Sequence, residues 1–151
     1  MLIRTHFIVA LFFALFLLNY GENKILFVTV VLIASVLPDI DSRFSSVGSK
    51  WYFRPLQFFV KHRGIMHSLT FLILISGILY FSLQILWLPF FIGYGLHLFL
   101  DLITIAGIEP VYPFGRKFSG TIKTGGIIEL FIFSIFVFLD IVMIMFYLHL
   151  F

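Results

Sequence analysis

Lys61-His62-Arg63-Gly64-Ile65-Met66-His67-Ser68 runs without a break into Leu69-Thr70-Phe71-Leu72-Ile73-Leu74-Ile75-Ser76-Gly77-Ile78-Leu79-Tyr80-Phe81-Ser82-Leu83-Gln84-Ile85-Leu86. The second part carries no charge and is close to the ~20 residues that an α-helix needs to cross ~30 Å of hydrocarbon. A helix over 68–86 is therefore predicted. The first part sets two histidines, two cations and a glycine at the lip of that helix. Neutral imidazole is the commonest protein metal ligand. His62 and His67 would stand about 140° apart on one continuous helix. Gly64 is thus expected to separate a loop ligand, His62, from a ligand at the helix start, His67.

The rest of the chain fits the same solvent. Of 151 residues, 62% are hydrophobic and 11% charged, against roughly 45–50% and about 25% in soluble domains. A polytopic, all-α membrane bundle of about five transmembrane helices is predicted, forming one membrane-embedded helical domain over 1–151. With no cysteine, disulfides, thiolate metal sites and thiol catalysis are excluded.

In chain order, residues 1–20 have a basic residue and an apolar run over 7–18, as a signal peptide does. No small-x-small cleavage site follows, so a retained first helix is expected. A polar turn at 21–24 precedes a helix over 25–37, which ends at Pro38-Asp39-Ile40-Asp41. After 68–86, the Trp87-Leu88-Pro89 stretch reads as a turn into a helix over 89–106. A Gly- and Pro-rich loop over 107–126 precedes a last helix from about residue 127. With five spans, all of the 10 Lys and Arg except Lys24 fall on one side. The positive-inside rule makes that side cytoplasmic, together with the N-terminus and both long loops, and puts the C-terminus outside. The cations of 42–67 alternate with Trp51, Tyr52, Phe53, Phe58 and Phe59, a mixture that reads as a membrane interface rather than a nucleic-acid surface. No nucleic-acid partner is expected; membrane lipid is.

The same side collects the chemistry. His97 and Asp101, four apart, stack on one helix face, and ionisable groups inside a membrane helix normally turn inward toward a partner. Asp39 and Asp41 follow a proline, where an extended backbone would splay them and suit Asp41 to bridging two ions or to supporting a ligand from behind. His6, placed one turn before the first helix, completes a set of candidate metal ligands: His6, Asp39, Asp41, His62, His67, His97 and Asp101. Such nitrogen and oxygen donors suit zinc foremost, with manganese or iron(II) as alternatives, in a centre of one to three ions. Arg116, Lys117, Ser119 and Lys123, with the glycines before the last helix, form a candidate anion site at a helix N-terminus. Glu129 is a candidate general base or further ligand, and Arg63 a candidate for holding a phosphate or a ligating carboxylate.

His6, Pro38-Asp39-Ile40-Asp41, His62-Arg63-Gly64-Ile65-Met66-His67-Ser68 and His97-Leu98-Phe99-Leu100-Asp101, in this order, resemble the YdjM-like inner-membrane, predicted metal-dependent hydrolases. Pro113-Phe114 and residues 119–129 are similar as well, so the resemblance covers nearly the whole chain. It implies a small multispanning protein with a metal centre. More loosely, the His-x-x-x-Asp pair with further histidines is similar to zinc-dependent phospholipase C and single-strand nucleases, which hydrolyse phosphodiesters. The expected function is a membrane-bound, metal-dependent hydrolase of a phosphate ester or phosphodiester on a lipid, with Asp41, Glu129 and Arg63 as candidate catalytic groups. The rival expectations are a divalent-metal transporter, and a regulator or scaffold binding a soluble partner through 42–61.

Overall fold

A computed structural model describes residues 1–42, 45, 47–60 and 63–150. Among the described residues the chain is helical: α1 (Ile3–Phe16), α2 (Lys24–Val36), the short α3 (Arg54–Phe59), α4 (Leu69–Ser82), α5 (Gln84–Leu102) and α6 (Ile127–Leu150). Among the described residues there are no strands, only the isolated bridges Thr104 with Ile122 and Ile108 with Phe118.

The caps come from the polar residues that bound each apolar run. Asn23 starts α2, its Oδ1 accepting the Leu26 N–H at 3.0 Å, and Ser68 starts α4, its Oγ accepting the Phe71 N–H at 3.2 Å. Each satisfies a backbone donor that the first helical turn leaves without a partner. Several expected boundaries are corrected. Helix α1 begins at Ile3, so His6 lies within the helix instead of before it. The break between α4 and α5 falls at Leu83, φ −143°, and Pro89 lies inside α5. A proline there removes only the bond to the carbonyl four residues earlier, Ile85, and the helix continues through it. Helix α5 ends at Leu102 rather than at 106, because Thr104 Oγ1 donates to the Asp101 carbonyl at 2.7 Å and turns the chain away.

Two helices are long and apolar enough to cross a membrane, Gln84–Leu102 and the Ile127–His149 portion of α6. Helices α1, α2 and α4 have 13 or 14 residues, about 20 Å at 1.5 Å per residue. Helix α5 is the hub. A Cβ on Gly93 would come within 2.2 Å of the Val31 carbonyl, so this glycine lets the α2 and α5 backbones touch. Ala34, Leu72, Phe90, Tyr94, Leu98 and Ile108 form the core between α2, α4 and α5. Ala10, Ala14, Phe27 and Val31 form a second core between α1 and α2. Helix α6 packs along α1 through Phe136 against Phe12 and Phe13, and most of its surface is left uncovered by the rest of the chain.

Candidate metal centre

Four helix ends meet at one end of this bundle: the start of α1, the end of α2, the start of α4 and the end of α5. The approach to α4 and the exit from α2 are both 3-10 turns, Ile65–His67 and Leu37–Asp41. Helix α5 presents Tyr94, His97, Leu98 and Asp101 on its buried face, the three- and four-residue spacing of a helical stripe.

His97 is aimed from behind. Its Nδ1 lies 2.7 Å from the Ser35 carbonyl, which only accepts, so Nδ1 carries the proton and Nε2 points into the cluster. His67 is held the same way, with Nδ1 3.0 Å from Asp41 Oδ2 and Nε2 turned inward. The two Nε2 atoms stand 3.3 Å apart. Asp39 Oδ1 lies 4.0 Å from each of them, and Asp101 Oδ2 lies 3.8 Å from His67 Nε2. His6 stacks on His97, ring centroids 4.0 Å apart, with its Nε2 3.3 Å from Asp101 Oδ1. Asp101 also pairs with the Met1 amine and, through Oδ2, with Arg63 Nη2 at 3.3 Å.

Arg63 ties the turns together. Its N–H donates to Asp41 Oδ2 at 3.1 Å and its Nη1 to the Gly107 carbonyl at 3.1 Å. It adopts φ +60°, a conformation uncommon for a residue with a Cβ and one that tends to cluster at functional sites. The Tyr94 hydroxyl donates to the Met66 carbonyl and fixes the turn that carries His67.

The donor set fits a metal ion. His6 is 1% exposed; its Nε2 has the 3.3 Å approach to Asp101 Oδ1, and its Nδ1 has no hydrogen-bond partner among the described residues, a costly state for a buried polar group. Two imidazole nitrogens 3.3 Å apart cannot both carry a proton, so the pair is suited to one proton or one cation between them. His6, Asp39 and His97 on one hand, and His67, His97 and Asp101 on the other, offer donor atoms that all lie within 4.8 Å of one another. Burial pushes the Asp39 carboxyl above its ordinary pKa, with Asp101 adding to the effect and His6, His67 and the N-terminal amine opposing it.

Of the expected ligands, His6, Asp39, His67, His97 and Asp101 converge. The 3-10 turn separates the two acids after Pro38: Asp39 faces the cluster, while Asp41 stands behind His67. His62, like the cations Arg43 and Lys61, lies outside the described residues. Glu129 does not join the cluster. It is buried at the start of α6, accepting the Leu2 N–H at 2.6 Å, the Thr5 hydroxyl at 2.8 Å and the Gly125 N–H at 2.7 Å. The helix N-terminus expected to take an external anion is thus capped by the chain's own carboxylate. Arg116, Lys117, Ser119 and Lys123 are exposed, and no ion pair or hydrogen bond among the described residues ties them to the cluster. Asp140 is buried in α6 without a hydrogen-bond partner among the described residues. It is eleven residues, about 16 Å, beyond Glu129. The Ser35 carbonyl and the Tyr94 hydroxyl were not foreseen. No residue type announces a useful backbone carbonyl, but Tyr94, three residues before His97, shares its helix face.

These features define a small helical membrane protein with a buried His/Asp cluster where its helix ends converge. The model of the YdjM inner membrane protein family matches residues 1–150, and the chain belongs to that family. No curated protein and no solved structure matches it.

Proposed function

We propose that this protein is a membrane-bound, metal-dependent hydrolase of a phosphate ester or phosphodiester carried by a lipid, with zinc the ion its donors suit best. The observation that carries this reading is the convergence of His6, Asp39, His67, His97 and Asp101, with two imidazoles oriented from behind at Nδ1. A bound ion would acidify its water and polarise a phosphoryl oxygen. Asp41 and the Ser35 carbonyl fix the tautomers and ring planes of His67 and His97, the task of groups that support metal ligands. Arg63, 23% accessible, and Asp39, 14% accessible, are the partly exposed members of the described cluster, and a guanidinium there is placed to meet an arriving phosphate with N–H groups.

The proposed topology has five spans, with the cluster and N-terminus cytoplasmic and the C-terminus outside. The short helices α1, α2 and α4 then require their polar ends or a locally thinned bilayer to make up the length. Lys50, Arg54, Arg63, Arg116, Lys117 and Lys123 share the cluster's end of the bundle, while Lys24 starts α2 at the other, which supports this orientation. Trp51, Tyr52, Phe58 and Phe114, all exposed, suit the headgroup level on the same side. Beyond the cluster the bundle is filled by Ala10, Ala14, Phe27 and Val31, an apolar plug that favours hydrolysis over passage of an ion.

The test is to purify the protein into nanodiscs, measure bound metal, and follow release of phosphate or a phosphorylated headgroup from lipids with and without chelator. Metal-dependent release that disappears in His97→Ala is expected. A protein without metal, or release indifferent to both chelator and substitution, would refute the reading.

A further inference from the structure

Resting on that reading of the cluster as a metal centre, we propose that it holds a single divalent ion, and that the Arg63 guanidinium stands against Asp101 in place of a second one. Three observations carry this. The first is a shared ligand. Among the described residues there are two donor groupings, His6 with Asp39 and His97, and His67 with His97 and Asp101, and they have His97 in common. Its Nδ1 proton is committed to the Ser35 carbonyl, so it has one lone pair to give, at Nε2, and that lone pair serves one ion. Filling either group leaves the other with two donors among the described residues.

The second observation is distance. Two ligands on one ion, each about 2.0–2.2 Å from it, stand no more than about 4.4 Å apart. His67 Nε2, His97 Nε2 and Asp39 Oδ1 stand 3.3 Å and 4.0 Å from one another, all inside that limit, so these three can close on one ion. Asp101 Oδ2, 3.8 Å from His67 Nε2, is the next donor within reach of the same ion.

The third is charge. Asp39, Asp41 and Asp101 bring three negative charges to the site, and Arg63 and the Met1 amine on Asp101 bring two positive, so with neutral histidines one dication leaves a single positive charge. A second dication would leave three positive charges uncompensated among mostly buried side chains, which is strongly unfavourable. Arg63 Nη2 already lies 3.3 Å from Asp101 Oδ2, the carboxylate that a second ion would have to share.

The experiment uses the full chain in detergent or nanodiscs, loaded with excess zinc or manganese(II) and then freed of loosely bound ion. Metal is counted by mass spectrometry, and the manganese form is examined by electron paramagnetic resonance. One ion per chain with the hyperfine pattern of an isolated manganese is expected in the wild type. Arg63→Met, which removes the charge and keeps much of the bulk, is expected to take up a second, weaker ion. Two ions in the wild type with an exchange-coupled spectrum would overturn the proposal while leaving the hydrolase reading intact. No tightly bound metal at all would overturn both. Uptake unchanged in Arg63→Met would overturn the role given to the guanidinium.

Discussion

His67 and His97 are thirty residues apart in the chain, yet their Nε2 atoms face each other across 3.3 Å, each ring fixed on its other side. Everything else in the cluster is arranged around this pair. His97→Ala or His67→Ala should therefore abolish tight metal binding outright, whereas His6→Ala, which removes a donor stacked on the edge of the pair, should weaken it. Metal content after dialysis, with helicity and elution volume as controls for folding, checks the ranking.

Asp41 touches His67 from behind and receives the Arg63 N–H. Asp41→Asn keeps the shape but weakens the bond that orients His67, so metal affinity should fall by roughly 10–100-fold, the usual cost of losing such a partner. Competition titration with a chromophoric chelator measures it. A variant as avid as the wild type would mean that Asp41 does not support a ligand.

In the metal-free protein burial raises the Asp39 pKa. An ion must displace any proton held there, so apparent affinity should rise with pH up to the raised value and then level off for this group. Calorimetry in buffers of different ionisation enthalpy reads the protons released. Asp39→Asn should remove that portion of the release.

Glu129 fastens the start of α1 to the start of α6 through three hydrogen bonds. Glu129→Gln should lower the thermal midpoint, with a loss of about 1–3 kcal/mol for charge-assisted bonds, and should retain bound metal. Loss of metal in this variant would extend the centre to α6.

Gly107 sits at φ +59°, and a Cβ there would come within 2.1 Å of the Phe118 carbonyl. Gly107→Ala should destabilise by about 2 kcal/mol or more, from the left-handed backbone together with the clash. Because the Gly107 carbonyl also accepts from Arg63, metal binding should weaken in the same variant, which a combined melting and metal-content measurement can follow.

Most of the candidate ligands were legible because they break an apolar pattern. His97 and Asp101 four apart in a membrane-length helix have few reasons to exist except an inward partner, and the acids after Pro38 end a helix where polarity is otherwise absent. The loop cations Arg116, Lys117 and Lys123, with Ser119, were legible only as charge and polarity, and spacing did not disclose that Glu129 would cap the helix beside them. The break at Leu83 was hidden because Pro89, the stronger punctuation, is tolerated inside α5. The parts of the centre supplied by backbone, above all the Ser35 carbonyl, have no signature in residue type.

Composition and the distribution of apolar runs determined that this chain is helical and belongs in a bilayer, because 62% hydrophobic residues leave too few charges to face water on all sides. They also named the imidazoles and carboxylates that a metal would use. Only the tertiary structure decided which of them meet. It turned Asp39 inward and set Asp41 behind His67 through a 3-10 turn, brought His6 onto His97 through the packing of α1, and placed Arg63 against Asp101. The physical reason is that ligand spacing along the chain fixes direction only within one helix, whereas this cluster is closed by contacts among four helix ends.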